Sequence, residues 1–186
     1  MKLKVEQILF NEKVNGLNVV VRYPNRGDAV SMLDYINTLS KEKTYITYQG
    51  EQLTLEEEKK YLKSQLEKIK SGRTVHLMLF VDGNEAGISS IDLGKGIKGH
   101  IGVFGISIAK KYRGMGLGKL LMKLVFEESV KKLKDLKIIV LEVFGPNEKA
   151  IEMYKKFGFV ESGRLPGGIL YKGEYVDDIQ MYMKVK

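Results

Sequence analysis

The chain has 186 residues and a formal net charge of +8, and it contains no cysteine. Disulfides, thiolate metal sites and a cysteine acyl-enzyme are therefore excluded, and we expect no metal. No apolar run approaches the roughly 20 residues of a membrane helix, and the first residues lack the apolar core of a signal peptide. We expect a cytoplasmic protein that folds as a single domain over residues 1–186. The lysines are spread along the chain, so a nucleic acid is not the expected partner.

The first half of the chain predicts a hairpin, two helices and two strands. Asn15-Gly16 is typical of a type I′ turn. His76 stands alone in an apolar strand and is expected to pack rather than to catalyse. The expected elements are a hairpin from Val5 to Tyr23, a helix capped by Asp28 with Val30, Leu33 and Ile36 inward and Tyr35 and Leu39 as further candidates for that face, a helix from the capping box at Thr54 to Gly72, and strands over 75–81 and 85–93.

The second half predicts strands that alternate with helices. The apolar run Ile138-Ile139-Val140-Leu141 is typical of a central strand covered on both faces. The expected elements are a strand over 100–108, a helix over 116–133, a strand over 137–144, a helix over 146–156 and two final strands.

A basic loop with alternate glycines joins the first of these strands to its helix, over residues 106–121. The first N–H groups of a helix lack intrahelical partners and carry the positive end of its dipole, so they favour a phosphate. Lysines and an arginine add positive charge around the same point. The loop is not a Walker loop, because Leu120 follows Gly118-Lys119, and the spacing of its glycines differs from that of the dinucleotide fingerprint. A glycine-rich turn before an ordinary surface helix is the alternative.

Two motifs indicate a family. Residues 113–118 read Arg-Gly-Met-Gly-Leu-Gly and match Arg/Gln-x-x-Gly-x-Gly/Ala, and about thirty residues later Asn147, Ala150, Tyr154 and Gly158-Phe159 match Asn-x-x-Ala-x-x-x-Tyr-x-x-x-Gly-Phe. In both respects the chain resembles the GNAT N-acetyltransferase superfamily. The resemblance covers roughly residues 101–159. It implies an α+β fold in which a central, mostly antiparallel sheet has one parallel, splayed strand pair and is flanked by helices.

The resemblance also implies that acetyl-coenzyme A is the co-substrate. The loop would bind its pyrophosphate, and backbone groups of Ile106 and Ile108 would bind the pantetheine arm in the gap between the splayed strands and polarise the thioester. Asn147 would contact the same arm, unless it serves only as a helix N-cap. The implied coenzyme-binding residues are Ile106, Ser107, Ile108, Arg113, Gly114, Met115, Gly116, Leu117, Gly118, Lys119 and Asn147.

Two residues are expected to carry the chemistry. By resemblance Tyr154 donates a proton to the leaving thiolate, with a core tyrosine as the alternative role. Glu142 is the expected base, because it brings a carboxylate into a buried strand. An ion pair with a lysine, or an outward-facing position, remains open for Glu142.

The acceptor is expected to be a primary amine, either a protein N-terminus or a small amine. Gly173-Glu174-Tyr175-Val176-Asp177 looks like a segment of ribosomal-protein-type and related acetyltransferases, although enzymes acting on amino acids, polyamines and antibiotics carry it too. A non-catalytic sensor or interaction module that binds the coenzyme without turnover is the rival function. Neither a membrane nor a nucleic acid is an expected partner, and a homodimer is left open.

Overall fold

The computed structural model describes residues 7–185, which divide into two compact units. The first unit consists of residues 7–92 and Gly105–Lys134, and the second of Leu93–Phe104 and residues 135–185. The helices are α1 Ala29–Lys41, α2 Leu55–Lys70, α3 Leu117–Lys132 and α4 Glu148–Lys156. The strands are β1 Ile8–Val14, β2 Leu17–Arg22, β3 Thr74–Val81, β4 Asn84–Leu93, β5 Ile101–Ile108, β6 Ile138–Phe144, β7 Val160–Tyr171 and β8 Glu174–Lys184.

The first unit contains an antiparallel sheet in the order β1, β2, β3, β4, followed by residues 105–108 of β5. Asn15 and Gly16 have φ of 51° and 82°, so the predicted hairpin turn is confirmed. Val5 and Glu6, where we expected the hairpin to begin, lie outside the described residues. All eight residues of β3 are buried, which makes this strand the centre of the unit's core. His76 is fully buried there, as expected of a packed residue.

Helix α1 differs from its prediction at the first turn. Asp28 stands at its N-cap but makes no side-chain capping bond. Its carboxylate instead accepts two hydrogen bonds from the Arg22 guanidinium, at 2.7 and 2.8 Å, and one from the backbone N–H of Asn25. Hydrogen bonds to a charged guanidinium are stronger than a bond to a neutral helix N–H, so the carboxylate binds Arg22 rather than the start of the helix. Val30, predicted to face inward, is 56% exposed, and Leu33 and Ile36 are half-buried. The buried residues of the helix include the further candidates Tyr35 and Leu39, and they are Ala29, Met32, Tyr35, Leu39 and Ser40.

Helix α2 begins and ends where the sequence predicts. Thr54 and Glu57 form both bonds of the capping box, and the left-handed Gly72 follows the last turn. Its inner face carries Glu58, Leu62, Gln65, Leu66 and Ile69. Two of these five are polar, so the apolar period that identified the helix did not describe its whole buried face.

The second unit contains the only parallel strand pair found within residues 7–185. Ile101, Gly102 and Val103 of β5 lie opposite Ile138, Ile139 and Val140 of β6, and the parallel pairing stops there although both strands run on. Antiparallel pairing continues from β6 to β8 and from β8 to β7. The mixed, mostly antiparallel sheet with one parallel pair and flanking helices is therefore confirmed. That residues 1–186 form a single domain stays a prediction.

The part of the chain that the structure describes offers neither a membrane-spanning helix nor a metal-binding group. None of its helices is long and apolar enough to cross a membrane. Between residues 7 and 185 no three His, Asp or Glu side chains are grouped in a way that would hold a metal ion.

Candidate active site

The glycine loop of the first unit adopts the backbone that its sequence requires. Gly114 and Gly116 have φ of 78° and 80°, in the left-handed region, where a side chain would cost roughly 1–2 kcal/mol. Gly116 occupies the N-cap of α3, and no side chain caps that helix end. The N–H groups of the first turn are thus left for an anion, and Lys110, Lys111, Arg113 and Lys119 are exposed around them.

Four hydrogen bonds hold this loop in place. The Arg113 guanidinium donates to the backbone carbonyl of Ile108 at 2.7 Å and to the Glu42 carboxylate at 2.5 Å. Glu42 also accepts the backbone N–H of Lys110 at 3.2 Å. From the other side, the Asn15 side chain donates to the carbonyl of Met115 at 3.2 Å. The C-terminal end of α1 and the first hairpin therefore both brace the loop.

The end of β5 leads directly into the loop. Ile106, Ser107 and Ile108 are half-buried, and the Ser107 hydroxyl lies 2.9 Å from the Tyr35 hydroxyl of α1. Burial raises the pKa of Tyr35, more than the bond to Ser107 lowers it, so the phenol stays protonated. The first unit thus brings together ten of the eleven residues predicted to bind the coenzyme: Ile106, Ser107, Ile108 and the seven residues 113–119.

One acidic residue of the first unit escaped the sequence analysis. Glu85 lies near the start of β4, where the Ser31 hydroxyl donates to its Oε2 at 2.5 Å. Its Oε1 is buried without a hydrogen-bond partner. Burial is the main cause that raises the pKa of this carboxyl to about 8. The available signal was a carboxylate directly before the apolar part of a strand. A position beside a turn, however, is typical of the solvent-facing end of a strand.

In the second unit, Tyr154 is the buried residue of α4, with 8% exposure. Its ring meets Phe104 edge-on at a centroid distance of 6.0 Å and lies 6.0 Å from Phe159. Burial raises the pKa of Tyr154 to about 12. The aromatic packing fixes the ring, while the raised pKa keeps the hydroxyl protonated at any physiological pH, so it acts as a hydrogen-bond donor.

Asn147 and Glu142 belong to the same unit. Asn147 stands at the N-cap of α4, but its side chain makes no capping bond, so the alternative role as a side-chain cap is not realised. Glu142 lies opposite Gln180 on β8 and is exposed, between the buried Leu141 and Val143. Within residues 7–185 no ion pair involves Glu142. Of its two alternative roles, an ion pair and an outward-facing position, the structure therefore matches the second.

Known proteins are similar to this chain in sequence and in fold. The L-amino acid N-acetyltransferase AaaT of Escherichia coli (strain K12) is 33% identical over 106 residues, which are 56% of this chain and 65% of that protein. The spermidine N(1)-acetyltransferase of Vibrio cholerae is 35% identical over 80 residues, which are 43% of this chain and 46% of that protein. The matched parts therefore span less than two thirds of either curated relative.

The crystal structure of an acetyltransferase of the GNAT family from Streptococcus pneumoniae superposes with a TM-score of 0.82 at 29% identity. The superposition covers 90% of this chain and 99% of that one. The sequence profile of the acetyltransferase (GNAT) family matches residues 36–159, which include the glycine loop, Glu142, Asn147 and Tyr154. With well over half of its length matched, this chain belongs to the acetyltransferase (GNAT) family.

Proposed function

We propose that this protein is an N-acetyltransferase that moves the acetyl group of acetyl-coenzyme A to a primary amine by direct attack in a ternary complex. The observation that carries the proposal is the glycine loop. Its sequence matches the family's pyrophosphate motif, and its left-handed glycines lead into a helix whose N-terminus no side chain caps. An anion with two neighbouring phosphates fits such a row of N–H donors.

The coenzyme-binding residues divide into those that act through the backbone and those that act through charge. Leu117 is 1% exposed, so its side chain belongs to the core and only its N–H faces the ligand. Gly114, Gly116 and Gly118 offer N–H groups without side-chain bulk. Arg113 and Lys119 supply positive charge, and in the second unit the uncommitted side-chain amide of Asn147 would bind the pantetheine arm.

Backbone groups of Ile106 and Ile108 would orient the thioester. A backbone N–H aimed at the carbonyl oxygen stabilises the negative charge that develops there when the amine attacks. One such donor is worth about 3–4 kcal/mol in the transition state. The bond between Ser107 and Tyr35 holds this end of β5 against α1, which supports a fixed donor geometry.

Tyr154 would assist the departure of the thiolate. The amine nitrogen forms the new C–N bond, the C–S bond breaks, and the sulfur receives a proton. A phenol with a pKa near 12 is about 3.5 units less acidic than a thiol of pKa ~8.5. Transfer of the phenol proton to the free thiolate would cost about 5 kcal/mol on that scale, and more while the C–S bond is intact, so Tyr154 would act through a hydrogen bond that strengthens as charge collects on sulfur.

Glu142 is the base that the sequence predicts. The Glu142→Gln variant tests this role, because it removes the basic oxygen and keeps the size of the side chain. We expect a loss of the acid limb of the pH-rate profile if Glu142 takes the proton from the amine. An unchanged profile assigns the proton to another group.

The acceptor remains a primary amine without a narrower assignment. The names of the two curated relatives specify an L-amino acid and spermidine, both of which carry amines. The family resemblance adds protein N-termini. Cytoplasmic location stays a prediction from the sequence.

Thiol release from acetyl-coenzyme A tests the proposal, with N-terminal peptides, lysine peptides, polyamines, free amino acids and aminoglycosides as acceptors. We expect turnover with at least one class. Calorimetry of coenzyme binding accompanies the assay. Coenzyme binding without turnover on any acceptor would support the sensor instead, and absence of binding would reject both functions.

A further inference from the structure

Glu85 has one satisfied and one unsatisfied oxygen. Ser31 holds Oε2, while Oε1 is out of solvent and lacks a donor. A buried oxygen without a partner costs about 1–3 kcal/mol and calls for an explanation. Nothing described so far in the proposed reaction uses this residue.

The place of Glu85 connects it to the reacting end of β5. Its neighbour Ala86 accepts the backbone N–H of Ala109 at 2.9 Å, immediately after Ile108. Ser31 and Tyr35 are four residues apart on α1 and therefore lie on one face of the helix. The first bonds Glu85 and the second bonds Ser107. The Glu85 carboxyl and the Ser107 hydroxyl are thus attached to the same face of α1 one turn apart.

Acidic groups predominate among the charges that face Glu85. Arg22 on β2 is a cation whose charge lowers the pKa of Glu85, but both of its terminal nitrogens are bonded to Asp28. Glu58, from α2, is 3% exposed and also faces this region. Burial is the largest cause that raises the pKa of Glu85, and the charges of Asp28 and Glu58 raise it further. The hydrogen bond from Ser31 and the charge of Arg22 lower it, and the resulting pKa is about 8. Tyr35, on the remaining side, is a neutral phenol.

We propose that Glu85 receives the ammonium group of the acceptor: Oε1 accepts a hydrogen bond from it, takes one of its protons, and leaves the neutral amine to attack the thioester. This inference rests on the proposed acetyltransferase function. The exchange balances, because R–NH₃⁺ and the carboxylate give R–NH₂ and the carboxylic acid. The ammonium supplies the donor that Oε1 lacks, and its positive charge favours the ionised form of a carboxyl whose neighbouring cation, Arg22, is bonded to Asp28.

The pKa of the acceptor decides which amine shows this role most clearly. An α-amino group has a pKa of ~7.7–8.0, close to the raised pKa of the Glu85 carboxyl, whereas a lysine ammonium titrates at ~10.4. An α-amine peptide is therefore the acceptor with which the role of Glu85 is tested.

The test compares Glu85→Gln with Glu58→Gln, which also removes a buried carboxylate but from α2. Turnover of acetyl-coenzyme A with an α-amine peptide is measured from pH 6 to pH 10. At pH 7 we expect kcat/KM of Glu85→Gln to fall about 100-fold, in the range of a lost general base. Towards pH 10, where the amine is already neutral, the rate should approach that of the parent protein. Glu58→Gln should stay within about threefold of the parent at pH 7 and keep its acid limb, displaced slightly towards lower pH because Glu58 raises the pKa of Glu85.

A loss below threefold at pH 7, or a loss that is equal at every pH, would overturn the inference. Coenzyme binding by calorimetry shows that the variants are folded. Glu85→Asp keeps a carboxylate and serves if the Gln variant does not fold; it should turn over more slowly while keeping the acid limb, and a pH-independent loss would again overturn the inference. If the parent protein acetylates no amine, the proposed function itself fails, whereas an active parent with an unaffected Glu85→Gln variant rejects only the role of Glu85.

Discussion

Replacing Glu85 by Gln should stabilise the protein at neutral and alkaline pH. In the unfolded chain this carboxyl ionises at its ordinary pKa of 4.5, whereas burial raises the pKa to about 8 in the folded state. As the pH rises from 4.5 to 8, the unfolded state loses the proton and the folded state keeps it, so the folded protein loses stability. Glutamine cannot ionise and removes this penalty. Ser31 can still donate to the new amide oxygen.

The size of the effect follows from the pKa difference. The two pKa values differ by 3.5 units, and each unit corresponds to 1.36 kcal/mol, which sets an upper limit of ~4.8 kcal/mol. Glu85 is half-buried rather than fully buried, so solvent screening reduces that value. We expect Glu85→Gln to raise the free energy of unfolding by roughly 2 kcal/mol at pH 8.5 and to leave it nearly unchanged at pH 4.5.

Urea unfolding at pH 4.5, 6.5 and 8.5 measures this difference directly. The control is Glu142→Gln, because Glu142 is exposed and its replacement should change the free energy of unfolding by less than about 0.5 kcal/mol at each pH. The reasoning is refuted if the difference between Glu85→Gln and the parent protein is the same at pH 4.5 and pH 8.5. A difference of opposite sign at pH 8.5 would show that the carboxylate is stabilised in the fold.

Three further changes test other parts of the structure. Tyr154→Phe should lower kcat about 10- to 100-fold and leave the coenzyme Kd within twofold, as steady-state kinetics and calorimetry would show; equal rates would dispose of its role as donor. Gly116→Ala should weaken coenzyme binding several-fold and cost about 1 kcal/mol in urea unfolding, because φ is 80° there, and an unchanged Kd would contradict this reading of the loop. Burial lowers the pKa of His76 to about 4 in the folded protein, against 6.5 when unfolded, so the free energy of unfolding falls as the pH drops from 6.5 to 4. His76→Leu should remove about 3 kcal/mol of that fall, measured by urea or thermal unfolding as a function of pH. If the variant and the parent protein show the same dependence on pH, His76 does not cause it.

The sequence predicts those parts of the fold that depend on neighbouring residues. The Asn15-Gly16 turn, the capping box at Thr54 and the loop at Gly114 and Gly116 are short-range patterns with one favoured backbone. Each is confirmed because the residues that define it also make its bonds. The order of strands and helices follows from the same local signals.

Features that depend on distant partners were not predictable. Asp28 looked like a helix cap, but its carboxylate pairs with Arg22 at the end of β2. Glu85 looked like the end of a strand, and only its contact with Ser31, 54 residues away, shows a buried carboxyl. Val30 fitted the apolar period of α1, yet that side of the helix is exposed. In each case a contact with a distant part of the chain, or the absence of one, decides the burial and the bonds of the side chain. The periodicity of the sequence carries no information on such contacts.

The ion pair between Glu42 and Arg113 has a consequence for how tightly a coenzyme can be held. In the proposed function, a pyrophosphate that arrives at the loop meets the uncapped N–H groups of α3 and an Arg113 guanidinium that already has an anionic partner, since Glu42 bonds both Arg113 and the Lys110 N–H. Phosphates that bind Arg113 would replace Glu42, so this contact adds only the difference between two pairings to the free energy of binding. When the coenzyme leaves, Glu42 would bond the same donors again.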